Sequence, residues 1–175
     1  MIPLRATNYQ LSNKWPQRVI IHHTACKAVA SSIKMDTSQF QTGMFHDINF
    51  QRTKKETGFH FIIEKVKNDF QVILSQPLLS LCEYEDLNEE YWRDVHVALM
   101  GDYNEDLPQN RLYRVLAYRV LVPLTRLFLI NEKDILFHST VSNNPDEECP
   151  GEFVNMTKIQ SNFRTVLKRK AVTRK

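Results

Sequence analysis

The stretch "RVIIHHT", residues 18 to 24, is the strongest constraint in the chain, because Val19, Ile20 and Ile21 leave it apolar on both faces. A strand that turns neither face to water belongs in the middle of a sheet covered on both sides. The rest of the sequence supplies the other parts of such a fold. "FHFIIEK" and "FQVILSQ", residues 59 to 65 and 70 to 76, read as two strands joined by a "VKND" turn, and "DVHVALMGDY" as a further strand ending at Gly101. The spacing of Met35, Phe40, Met44 and Ile48 predicts a helix from Met35 to about Phe50, with Asp36 and Thr37 at its cap. In "QNRLYRVLAYRVLVPLTRLFL" apolar residues recur at helical spacing through Leu112, Leu116, Val120, Leu124 and Phe128, and Pro123 should kink or divide that helix. A short strand "DILF" and a last helix from about Met156 to Lys168 complete the order. Strands interleaved with helices predict an α/β fold in which helices flank a central mixed β-sheet.

The length of 175 residues, with 42% hydrophobic and 25% charged content, suits one globular domain that buries a core without staples. Residues 1–17 read as an N-terminal extension and residues 169–175 as a basic tail. The net charge is +3, and much of the excess lies in "VLKRKAVTRK", so the body is nearly neutral. No basic stripe on a defined element points to nucleic acid, and no glycine-rich phosphate loop points to a nucleotide. Cys26, Cys82 and Cys149 are odd in number and irregular in spacing, which favours free thiols or a metal ligand over a disulfide framework. No signal peptide and no membrane-spanning run are expected, so synthesis in a reducing cytoplasm is.

Two histidines and one cysteine stand apart. His22 closes the first strand, His138 closes "DILF", and Cys149 ends the acidic loop "STVSNNPDEECPG". Taken alone, His22 reads as a core residue at a strand end. Taken together, the three supply the donors of a catalytic zinc, with a fourth position left for water. Two neutral imidazoles and a thiolate would leave the ion a net charge of about +1, which lowers the pKa of a coordinated water toward ~7 and polarises a carbonyl. His23 alternates with His22 and should face the other side of the sheet. His60 should not share the face of Phe59, His96 reads as a surface or second-layer residue, and His46 as a helix histidine. Trp15, Tyr84, Tyr91 and Trp92 fit either packing or a sugar-stacking groove.

The blocks "RVIIHHTA", "GFHFIIEK", "VHVALMGDYN", "DILFHS" and "ECPGEF", in this order from about Arg18 to Phe153, resemble the zinc-dependent N-acetylmuramoyl-L-alanine amidases. That superfamily includes bacteriophage lysozyme-type amidases and peptidoglycan recognition proteins. The resemblance implies a zinc at one edge of a groove and hydrolysis of the amide between N-acetylmuramic acid and the L-alanine of the stem peptide. Its three metal ligands map onto His22, His138 and Cys149, holding one Zn2+ ion. Phe59, His23 and Thr24 are the corresponding candidates for substrate contact, and peptidoglycan is the implied partner.

The chain also departs from that pattern. Phe59 stands where many catalytic members have a tyrosine, Glu147 where phage-type members often have a lysine, and Ala98 where another branch has a glutamate. Two readings follow. In one the chain is an active amidase with Glu147 as general base. In the other it is a non-catalytic or weakly catalytic zinc-containing module that binds peptidoglycan or rides in a phage particle with other phage proteins. The expected place of action is the cell wall, reached after release from the cytoplasm or as part of a virion.

Overall fold

The computed structural model describes residues 11–24 and 58–172. The helix expected between Met35 and Phe50 lies outside these residues, as do Cys26 and His46. Five strands form one mixed sheet: β1 (Val19–His23), β2 (Phe61–Val66), β3 (Asp69–Leu74), β4 (Val95–Leu99) and β5 (Ile135–Phe137). Their spatial order is β3-β2-β4-β1-β5. β1 is parallel to β4 and β5, β2 is parallel to β4, and only the β2–β3 hairpin is antiparallel. The run that is apolar on both faces is therefore flanked on both sides, as its composition requires. The hairpin turns where the "VKND" stretch places it, with Lys67 in the left-handed region at φ 57°.

Alternation divides the sheet into two faces. Val19, Ile21, Val95, Val97, Leu99 and Ile63 point to one side, into a cluster completed by Leu112, Leu116, Val120, Ile159 and Phe163. This is the main core, and each such aliphatic side chain contributes about 1.5–3 kcal/mol by leaving water. The helices that cover it are α1 (Asn110–Val115), a π-helical segment (Leu116–Leu121), α2 (Val122–Phe128) and α4 (Met156–Val172). Between β5 and α4 lies the single turn α3 (His138–Val141).

The proline expected to divide the long helix does so by changing its winding rather than by breaking it. Val122 N–H bonds back five residues to Ala117 O, and Pro123 then falls in the first turn of α2, where a missing N–H is tolerated. Leu129, at φ 58°, ends the run. Ahead of β1, Ser12 N–H donates to Leu79 O, and Asp94 Oδ1 accepts from the backbone N–H groups of Gln17 and Arg18. Among the described residues no helix is long and apolar enough to cross a membrane.

Candidate metal centre

The opposite face of the sheet carries Ile20 and His22 on β1, His96 and Ala98 on β4, and Ile62 on β2, by the registers Ile20↔His96, His22↔Ala98 and Ile62↔Ala98. Because β1 and β5 are parallel with Ile21 opposite Phe137, the next residues of both strands, His22 and His138, arrive together at the carboxyl edge of the sheet. Their ring centroids are 4.5 Å apart. β5 runs straight into α3, whose first residue is His138.

The loop after α3 returns to the same edge. Ser139 N–H donates to Cys149 O at 2.8 Å, and Cys149 Sγ accepts the backbone N–H of His23 at 3.3 Å. That thiol lies 3.8 Å from His22 Nδ1. One donor atom from each of His22, His138 and Cys149 falls within 4.8 Å of the others, and all three residues are buried. Two ligands on a tetrahedral zinc, with bonds of ~2.05 Å to nitrogen and ~2.3 Å to sulfur, stand about 3.6 Å apart. The His22–Cys149 separation is close to that value.

The electrostatics suit the same ion. Burial, reinforced by His96 and His138, holds the His22 pKa well below the usual imidazole range. Burial also lowers that of His138, against the opposing pull of Asp86 and Glu147. Both rings are then neutral at pH 7 and each has an unprotonated nitrogen to offer. The Cys149 thiol is pushed up to about 12, chiefly by burial, so at neutral pH it releases its proton to solvent only when a strong local cation takes the proton's place.

Two carboxylates flank His138. Asp86 Oδ2 is 2.9 Å from His138 Nε2, poorly aligned for a hydrogen bond, and accepts Ser142 Oγ–H at 2.7 Å. Glu147 Oε1 accepts Cys149 N–H at 2.8 Å and lies 3.9 Å from His138 Nδ1. Glu147 thus shapes the loop that delivers Cys149 and stands beside the cluster. Phe59 forms a wall, its ring 5.3 Å from that of His22. Tyr84 stacks on His22 at 5.1 Å with the planes 14° apart, and its hydroxyl donates to Gly58 O.

His23 turns to the other face, as alternation predicts, and its Nδ1 accepts Tyr103 N–H at 3.3 Å. Thr24 Oγ1 accepts Gly101 N–H at 3.1 Å. Both therefore hold the segment after β4. His96 is fully buried, which removes the surface alternative and leaves the second-layer one. His60 is equally buried and sits beside His96, with ring centroids 6.1 Å apart, while Phe59 approaches His22. Simple alternation does not separate Phe59 from His60, since the regular strand starts at Phe61 and Phe59 follows Gly58, whose φ is +69°. Trp15 lies beyond the other end of β1, edge-on to Phe128, and is 65% exposed. Asp86 and the partnership of His96 with His22 had no distinguishing mark in the sequence.

No protein-family model matches the sequence, and no curated protein does. Solved structures do. The N-acetylmuramoyl-L-alanine amidase LysC from Clostridium intestinale URNW aligns over 90% of this chain and 95% of its own, at 20% identity and a TM-score of 0.61. The Ph2119 endolysin of a Thermus scotoductus bacteriophage aligns over 91% and 92%, at 14% identity and a TM-score of 0.62. A Drosophila PGRP-LB mutant in complex with tracheal cytotoxin aligns over 87% and 85%, at 20% identity and a TM-score of 0.64. The chain has the α/β fold that these amidases, endolysins and peptidoglycan recognition proteins share.

Proposed function

We propose that this chain, built on the amidase and peptidoglycan-recognition fold, is a zinc-dependent peptidoglycan hydrolase that cleaves the amide between N-acetylmuramic acid and L-alanine. The observation that carries the reading is the convergence of His22, His138 and Cys149 at the carboxyl edge of the sheet. These residues would hold one Zn2+ ion, which when bound supplies Lewis acidity for water and for the amide carbonyl. The remaining chemistry belongs to the chain. Glu147 is anchored through Oε1 to Cys149 N–H, and its carboxylate takes the proton of the attacking water and returns it to the leaving amine. Phe59 dries one wall of the pocket but has no hydroxyl to offer the oxyanion. Asp86 places a negative charge beside the imidazole of His138. Release from the producing cell or carriage in a phage particle would bring the protein to its substrate.

Phe59 favours a second reading, in which the centre is retained and peptidoglycan is bound but cut poorly or not at all. One experiment separates the two. Zinc stoichiometry is measured on the purified chain while new L-alanine amino termini are counted after incubation with peptidoglycan, for the wild type and for Cys149→Ala. The hydrolase reading expects one zinc and steady release in the wild type and neither in the variant. One zinc with sedimentation on peptidoglycan but no release establishes the binding module. Full zinc occupancy in Cys149→Ala would remove Cys149 from the centre.

A further inference from the structure

His96 occupies an unusual place. It is fully buried on β4, in the diagonal position to His22 across the β1–β4 pair, and its Nδ1 lies 2.9 Å from His22 Nε2. Its other ring nitrogen, Nε2, lies 2.9 Å from the backbone carbonyl of Tyr91. That carbonyl is itself held, since it also accepts Asp94 N–H at 3.0 Å.

Hydrogen-bond accounting then assigns every proton in the row. A carbonyl only accepts, so His96 Nε2 carries a hydrogen. A neutral imidazole has one N–H, so His96 Nδ1 is an acceptor. Facing it, His22 Nε2 must donate. The proton of His22 is thereby placed on Nε2, and Nδ1, the nitrogen 3.8 Å from Cys149 Sγ, is left with a free lone pair.

The strand that carries His96 is fixed by its neighbours. The backbone N–H of His96 donates to His60 Nδ1 at 3.0 Å and its backbone carbonyl accepts His60 N–H at 2.9 Å. His60 is fixed in turn by Ser80 O, 3.1 Å from its Nε2. The ring of Tyr84 stacks on both His22 and His96, with planes 14° and 26° away from theirs.

We propose that His96 is a positioning residue for the metal centre: with the Tyr91 carbonyl behind it, it locks His22 in the Nε2–H tautomer and aims the bare Nδ1 at the ion. The assignment rests on the zinc reading above and adds to it a device in the second layer, of the kind that sets the orientation and basicity of a ligating histidine. His22 thus relies on a neutral ring and a backbone carbonyl, whereas the carboxylate beside His138, Asp86, is poorly aligned with its Nε2.

The test has two arms. In the first, 15N imidazole spectra of the metal-free wild type report which nitrogen of His22 carries the proton. Nε2–H is expected, and a proton on Nδ1 overturns the proposal without touching the zinc reading. In the second, zinc affinity is measured by chelator competition for His96→Leu and His96→Asn. His96→Leu should bind zinc about 10–100-fold more weakly, the usual cost of losing such a partner. In His96→Asn the amide oxygen stands close to the lost Nδ1 and still accepts from His22, so its affinity should stay near that of the wild type. Equal losses in both variants would reduce His96 to a packing residue, and wild-type affinity in His96→Leu would remove its role. If His96→Leu does not fold, the wild-type spectra and His96→Asn decide. A wild type that binds no zinc sinks the hydrolase reading and this role together, and so is distinguishable from failure of the role alone.

Discussion

Acid should destabilise the metal-free protein steeply, and well above the pH at which carboxylates titrate. Burial lowers the pKa of His60 to about 4 and that of His96 to about 3, against 6.5 for an unperturbed histidine. On unfolding, both rings recover the ordinary value. Below pH 6.5 the unfolded chain therefore binds more protons than the native one, and stability falls as pH falls. The stabilising contribution is fully present above pH 6.5 and is lost progressively toward pH 3–4. Each ring costs up to about 1.4 kcal/mol per pH unit in that window, so from pH 7 to pH 5 each removes about 1.9 kcal/mol and the pair about 4 kcal/mol. A domain with a total stability of about 5–15 kcal/mol feels such a loss. His22 and His138, also lowered by burial, act in the same direction. The assay is urea unfolding followed by circular dichroism at pH 7, 6 and 5 in the presence of a chelator. His60→Asn, which removes one of the two rings, should reduce the loss between pH 7 and pH 5 by about 1.9 kcal/mol. Unfolding free energies at pH 7 and pH 5 that agree within about 1 kcal/mol would refute the reasoning, because both rings would then have to be charged or hydrated in the native state.

Other outcomes follow from the same geometry. Glu147→Gln should keep its zinc but release L-alanine termini about 10²-fold more slowly or worse, and an unchanged rate would return Glu147 to its role at the Cys149 loop. Phe59→Tyr should preserve or raise the rate by restoring a hydroxyl beside His22, and a clear loss would show that the apolar wall itself is needed. Asp86→Asn should weaken zinc binding about 10-fold or more, read by chelator competition, by removing the carboxylate next to His138 Nε2. Gly151→Ala should lose about 2 kcal/mol or more in urea unfolding. Its φ is +102°, and a Cβ there would stand 2.6 Å from the backbone carbonyl carbon of Tyr103. A variant as stable as the wild type would mean that the loop is free to move away.

The parts of the fold legible in the sequence are those that depend on local pattern. β1 announced its burial through Val19, Ile20 and Ile21, the hairpin through its two apolar runs, and the long helix through its spacing. The π-helical segment was not legible, since a widened turn leaves an apolar stripe nearly where an α-helix would put it. The three converging side chains were legible through the order of motifs around His22, His138 and Cys149. Their supporting layer was hidden for a physical reason: it depends on register and on loop closure, which no local pattern encodes. His96 meets His22 only because β4 pairs with β1 in the Ile20↔His96 register. Asp86 is one of six acidic residues between positions 80 and 95, and only the return of that loop toward α3 selects it.

The strand order has a consequence for how the chain is made. β1 is the first of the described strands to leave the ribosome, but its partners are β4, which begins at Val95, and β5, which begins at Ile135. At about 5–20 residues per second, the 71 residues between His23 and Val95 take ~4–14 s to synthesise. For that interval an apolar segment suited to neither face of water waits without its neighbours, while β2 and β3 can already zip into their hairpin. The sheet is thus assembled from its β3–β2 edge, with β4 added next and the opposite edge, β5, last, and its apolar middle stays exposed to chaperones and to wrong partners until β4 arrives.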